Sequence, residues 1–350
     1  MSKMMEEIRE QPAALERTLA RELRGIAKLK QRFEKNPPRL IVLAARGTSD
    51  NAALFGRYLI EIATGIPVAP AALSVNTLYH AKLRVSGAAV VGISQSGEST
   101  DTNAMLEEAK KSGAFTIGIT NEPKSTLARL ADHVVLVRAG KEKSVAATKT
   151  YTGQLMSIYL LAWALGAEIG LDDLKKLPDH ASAALKLEGE VGARAERYRF
   201  MDHAVVIGRG LNYANAFEWS LKLMETCYVV AERFSQADLL HGPIAMVDRS
   251  FPAFLLAPPG ATWPVMKSLS EKLSGLEAET LMITDLSNRE APKSAVRVPA
   301  RLSYKGRLPA DLYTPVPYII PAQMFAASLA AVKGLNPDHP RGLKKVTRTL

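Results

Sequence analysis

Residues 88–102 read AAVVGISQSGESTDT. The first seven are an apolar run of strand length. The rest are short and rich in hydroxyls, turn about Gly97, and lead into an amphipathic stretch, Asn103–Lys111. A strand that breaks into a polar loop and then a helical pattern is half of a β-α-β unit. Upstream, Leu40–Ala45 (LIVLAA) runs into Arg46-Gly47-Thr48-Ser49-Asp50; downstream lie Phe115–Thr120 (FTIGIT) and His133–Val137 (HVVLV). Strands alternating with longer amphipathic stretches predict an α/β fold with a parallel sheet flanked by helices.

A second series follows at nearly the same spacing: Ala204–Gly208, Phe251–Ala257, Glu279–Thr284 and Ala295–Val298. Arg46-Gly47 maps onto Arg209-Gly210 with a shift of 163, and Ile119-Thr120-Asn121 onto Ile283-Thr284-Asp285 with a shift of 164. Identity between the halves is otherwise poor, and two α/β domains share spacing by chance often enough to stand as the alternative. The expectation is a duplicated, doubly wound, flavodoxin-like architecture. Its parts are a helical segment over 1–36, domains over 37–168 and 199–335, a polar helical connector over 169–198, and a tail over 336–350.

The 350 residues are 47% apolar and 23% charged, the balance of a globular chain. Lys and Arg number 45 against 35 Asp and Glu, a net +10 that favours an anionic partner. No block of like charge and no interleaving of aromatic with basic residues points to nucleic acid. A single cysteine, Cys227, excludes an internal disulfide framework and a Cys-based zinc site. The expected setting is the cytoplasm, with no membrane partner: no apolar run reaches the roughly 18 residues of a span, and MSKMMEEIRE lacks a signal-peptide core.

Parallel sheets bind ligands beyond the carboxyl ends of their strands, where helix N-termini present N–H groups. The loops 46–50 and 94–102 both sit there, and hydroxyls around a helix start make a directional cradle for a phosphate. A plain N-cap and turn is the alternative for either loop alone. Neither a P-loop lysine nor G-x-G-x-x-G is present. A third stretch, Lys141–Gln154 (KEKSVAATKTYTGQ), is small and polar at its centre, and by itself reads equally as a connecting loop.

From Asn212 to about Glu232 the pattern predicts one helix. Phe217, Leu221, Met224 and Tyr228 would form its core face, with Glu218, Lys222 and Glu225 in a stripe beside them. That stripe is either a solvated face braced by ion pairs or a partly buried base with a lysine beside it. His241, just before Gly242-Pro243, is the histidine placed for chemistry; the other five have no partner pattern, and no metal motif occurs.

Together these segments resemble the sugar isomerase (SIS) domain family, over about residues 5 to 350. The resemblance rests on R-G-T-S (46–49), S-Q-S-G-E-S-x-D-T (94–102), S-V-A-A-T-K (144–149), S-L-K-L-M-E (220–225), L-L-H-G-P (239–243) and D-H-P-R-G-L-K-K (338–345). It implies that Thr48, Ser49, Ser94, Gln95, Ser96 and Ser99 hold a sugar phosphate, with Val145 offering backbone contacts. It implies Glu225 as the base between C1 and C2 with Lys222 beside it, and His241 as the ring-opening group. In relatives that histidine reaches the site from the other subunit of a homodimer, so a shared active site is expected. Lys345 matches a lysine that engages the open-chain sugar, so the resemblance implies that the 336–350 tail enters the active site. No metal or organic cofactor is expected, because the carbonyl is the electron sink.

Departures select among family members. The matching segment begins at the first methionine, and Cys227 is no candidate for glutamine hydrolysis, so a glutamine-dependent reaction is not expected. Ala147, Met224 and Lys344 replace a serine, a lysine and a small residue of the aminotransferase branch. The deaminase branch is expected instead: glucosamine-6-phosphate and water to fructose-6-phosphate and ammonia. Alternatives are another phosphorylated amino sugar, a fructosamine phosphate, a simple aldose–ketose isomerisation, or a non-catalytic sugar-phosphate sensor.

Overall fold

The computed structural model describes residues 2–343 and Lys345. The chain forms two compact units, each built on one five-stranded parallel sheet. The first-sheet unit holds Glu10–Glu142 and Lys149–Lys176, together with Leu343 and Lys345; the second-sheet unit holds Lys143–Thr148, Leu177–Gly342 and the residues up to Arg9.

In the first sheet, β1 (Ile41–Ala44), β2 (Val68–Pro70), β3 (Ala89–Ile93), β4 (Phe115–Thr120) and β5 (His133–Leu136) lie in the order β2-β1-β3-β4-β5. In the second, β6 (His203–Gly208), β7 (Val230–Ser235), β8 (Pro252–Leu256), β9 (Glu279–Asp285) and β10 (Val296–Val298) lie in the order β10-β9-β8-β6-β7. Read from β7, this is the first sheet's order, so the duplication extends to topology. Every pairing is parallel. The central strands β1, β3 and β8 are buried at every position, as expected of a parallel sheet covered on both faces; hence their unbroken apolar runs.

β2 and β7, both at sheet edges, were not predicted. β7 corrects the expected 212–232 helix, which runs only from Tyr213 to Cys227. Tyr228 adopts a left-handed backbone, φ 57°, and its N–H returns to the Leu223 carbonyl. That closes the helix and turns the chain into β7, where the β-branched Val230 begins the pairing with β6.

One helix among the described residues, Pro315–Val332, is apolar and long enough to cross a membrane, yet 83% of it is buried within the second-sheet unit. Its burial and the aromatic packing of Phe325 on Tyr198, Trp219 and Phe254 mark it as a core helix.

Candidate functional site

The order β2-β1-β3-β4-β5 reverses direction between β1 and β3, and such a switch point opens a crevice at the carboxyl ends of those two strands. The two hydroxyl-rich loops leave from there. The 46–50 loop opens the helix Thr48–Thr64, whose N-cap Gly47 (φ 57°, ψ −133°) has a conformation that suits only glycine. The 94–99 loop opens the helix Thr100–Lys111. Neither helix start receives a side-chain cap, whereas Ser125 and Ser235 do cap the helices that follow them. The Ser99 hydroxyl instead meets Thr102 Oγ1 at 3.0 Å. The two N-termini thus keep the anion-attracting character that capping would reduce.

The loops are held firmly. Gly97 N–H donates to Ser94 Oγ (3.1 Å), Glu98 N–H to Ser96 Oγ (3.2 Å), and Asn121 N–H to the Gln95 carbonyl (3.1 Å). A Cβ on Gly97 would lie 2.1 Å from Ser125 Oγ, so only glycine lets the loop pass so close. Ser49 is buried and accepts from Gln154 Nε2 at 2.9 Å. Arg46 ties one loop to the other, donating to Asp101 Oδ2 through Nε (3.1 Å) and Nη2 (2.7 Å). Thr48, Gln95, Ser96 and Ser99 are partly exposed along this edge. The pairing of Arg46 with Asp101 was not singled out from sequence, because 55 residues separate the partners.

The second-sheet unit carries the charged stripe, and here the expected face is corrected. The fully buried side of the helix Tyr213–Cys227 is formed by Ala216, Trp219, Leu223 and Cys227; Phe217, Leu221 and Met224 are only half-buried, and Tyr228 lies past the helix end. Glu218 and Lys222 have 0% exposed side chains, and Glu225 has 22%. The Lys222 ammonium stands 2.5 Å from Glu225 Oε2 and 3.4 Å from Glu218 Oε1. A solvated, braced face is therefore ruled out. One buried ammonium fixes two carboxylates, and only Glu225 of the three reaches accessible space. A buried ion cluster is a poor stabiliser, since desolvation offsets its attraction; a fixed, accessible carboxylate is what proton transfer at carbon needs.

Past the helix, the Tyr228 hydroxyl accepts from the Arg341 N–H at 2.8 Å, and the Arg341 guanidinium lies 4.1 Å above its ring. Val145 N–H reaches the Asp338 carbonyl at 3.4 Å. His241 follows the short helix Gln236–Leu240 and is exposed on the surface of the second-sheet unit, directly before Gly242 at φ 135°. In the first-sheet unit, Lys345 Nζ contacts Glu142 Oε2 at 3.1 Å. Glu142 was not singled out from sequence. Lys344 and the tail from 346 onward lie outside the described residues.

The structure thus gathers Thr48, Ser49, Ser94, Gln95, Ser96 and Ser99 along one sheet edge, and Lys222 with Glu225 on one helix. A groove of about 1100 Å³ lies at the opposite, amino edge of the first sheet, walled in part by Arg32, Arg39, Arg84 and Asp132; none of the expected site residues lines it. Among the described residues, no group of three or more His, Cys, Asp and Glu side chains is arranged to hold a metal ion. Burial pushes the Cys227 thiol up to about 11, which leaves it inert.

Comparison with known proteins agrees with this architecture. The SIS domain family matches residues 36–164 and 199–333. The chain is 34% identical over 98% of its length to the glutamine–fructose-6-phosphate aminotransferase (isomerizing) of Pyrococcus horikoshii, and spans 57% of that protein. It is 36% identical to the enzyme of the same name from Symbiobacterium thermophilum, over 98% of this chain and 58% of that protein. The chain therefore spans little more than half the length of these relatives. Among solved structures, the C-terminal domain of glucosamine-fructose-6-phosphate aminotransferase from Francisella tularensis superposes with a TM-score of 0.84 at 27% identity, covering 97% of this chain and 98% of that one. A glucosamine-6-phosphate deaminase from Thermotoga maritima shares the fold with a TM-score of 0.76 at 22% identity, covering 99% of this chain and all of that one.

Proposed function

The chain belongs to the SIS domain family, and from that premise we propose that it is an amino-sugar-phosphate deaminase converting glucosamine-6-phosphate and water to fructose-6-phosphate and ammonia. The observation that carries the reading is the Lys222 clamp, which leaves Glu225 as the one accessible carboxylate of a buried cluster. The uncapped helix starts beside Thr48, Ser49, Ser94, Gln95, Ser96 and Ser99 support a phosphate as the substrate's anionic end.

In this reading His241, contributed by a second copy of the chain, assists opening of the pyranose, and Lys345 engages the open-chain sugar. The C1 aldehyde then acidifies the C2–H bond. Glu225 takes that proton, the electron pair forms the C1=C2 bond as the C1 oxygen takes up a proton from water, and the enolamine forms. Return of the proton to C1 leaves an iminium at C2; water adds there and ammonia departs, giving the ketose phosphate. A carboxylate suits both halves because one group must be base and then acid on the same face. Ala147 and Met224 depart from the aminotransferase branch, and this favours release of ammonia over its incorporation.

The test is an assay of purified protein with glucosamine-6-phosphate, measuring ammonia and ketose phosphate together. Glu225→Gln should abolish turnover and leave sugar-phosphate affinity within about threefold, since the substitution removes a transition-state interaction and spares the phosphate cradle. Near-normal turnover in that variant removes Glu225 from the mechanism. Ketose phosphate without ammonia, from a phosphorylated aldose, would favour simple isomerisation.

A further inference from the structure

Glu142 lies in the irregular segment between β5 and the helix Lys149–Ala164, within the first-sheet unit. Its side chain is wholly buried, yet it carries a carboxylate. Two of its partners belong to the start of the following helix: Thr150 donates to it through N–H (3.2 Å) and through Oγ1 (2.6 Å). A carboxylate at a helix N-terminus is favoured by the helix dipole, which accounts for its burial here. It also meets Lys345 Nζ at 3.1 Å, 203 residues further along the chain. Capping the helix alone would need no ammonium.

We propose that Glu142 is a positioning residue for Lys345, holding the lysine amine group at one point before substrate arrives; the proposal rests on the role given to Lys345 above. Lysine carries four side-chain torsions, and about 2 kcal/mol of rotamer entropy is lost when it is ordered. An anchor built from a buried carboxylate that is itself fixed by a helix start removes most of that cost ahead of the reaction. Orientation of this kind is felt in the rate: a displacement of about 1 Å can cost about a hundredfold. Lys345 keeps 27% of its side chain exposed, so the anchored group is still accessible to a ligand.

The isosteric Glu142→Gln keeps an oxygen for Thr150 and loses the charge that Lys345 meets. It should lower kcat for glucosamine-6-phosphate about 10- to 100-fold with KM within about threefold, and lower the melting temperature by only about 2–8 °C for the buried charged hydrogen bond it loses. Lys345→Met should cost at least as much. The double variant should be no slower than Lys345→Met alone, because Glu142 acts only through that lysine. Hydrogen exchange of a peptide spanning residues 336–345 should quicken alike in both single variants. A double variant whose loss is the product of the single losses overturns the proposal, as does wild-type exchange in Glu142→Gln. If the wild-type protein releases no ammonia from any phosphorylated amino sugar, the proposed function falls, and the exchange comparison still decides whether Glu142 anchors the lysine.

Discussion

Replacing Lys222 by methionine tests the buried cluster directly. Methionine nearly fills the space and removes the charge, leaving Glu218, at 0% exposure, without the ammonium 3.4 Å away. Breaking one side of a buried ion pair costs about 3–5 kcal/mol, because a charge stays behind in a medium that solvates it poorly. In a domain of this size each kcal/mol moves the melting temperature by about 2–4 °C, so Lys222→Met should melt about 6–20 °C below wild type. Two companion variants locate the cause. Lys222→Met with Glu218→Gln removes both charges of the 3.4 Å pair and should recover part of the loss. Glu225→Gln, at a site with 22% exposure, should cost about 1 kcal/mol. Scanning calorimetry on the three proteins reads these values. A Lys222→Met protein that melts with wild type refutes the reasoning, as does a double variant less stable than the single one.

Other outcomes follow from single sites. Burial raises the Asp311 carboxyl from 3.8 to about 6, so the folded state keeps a proton that the unfolded chain releases. The stability linked to that proton is fully present below about pH 4 and is lost as the pH rises through about 6, some 3 kcal/mol in total. Asp311→Asn should therefore flatten the fall in urea midpoint between pH 4 and 7; parallel profiles for the two proteins would contradict the assignment. Gly97→Ala should weaken sugar-phosphate binding measured by calorimetry. Its Cβ would displace Ser125 Oγ from 2.1 Å, and the φ of 65° alone costs at least about 1 kcal/mol. Unchanged affinity would show that the 94–99 loop does not hold the phosphate.

Much of the fold was legible along the chain because central parallel strands are buried on both faces and so read as unbroken apolar runs. The strands at 41–44, 89–93, 115–120 and 252–256 are of that kind. The edge strands β2 and β7 are half-exposed and mixed in composition, and β7 adjoined a helical pattern that masked it. The hydroxyl-rich loop over 94–102 was legible because short hydroxyls and a glycine sit together within nine residues, at a strand end. The helical stripe was legible as a stripe, since spacing sets direction on a helix, but its surroundings were not. Phe217, Leu221 and Met224 outrank Glu218 and Lys222 in hydrophobicity, yet they lie on the less buried side.

Sequence alone therefore determined the alternation of strand and helix, the duplication, and the hydroxyl-rich loops between strand ends and helix starts, all of which are properties of neighbours along the chain. Only the folded structure decided that Glu218 and Lys222 are sealed while Glu225 is not, that Arg46 meets Asp101, and that Glu142 meets Lys345. Burial and ion pairing depend on which distant segments exclude water from a side chain. Local spacing does not encode that, because the same stripe of charges is stable in solvent on one helix and enclosed on another.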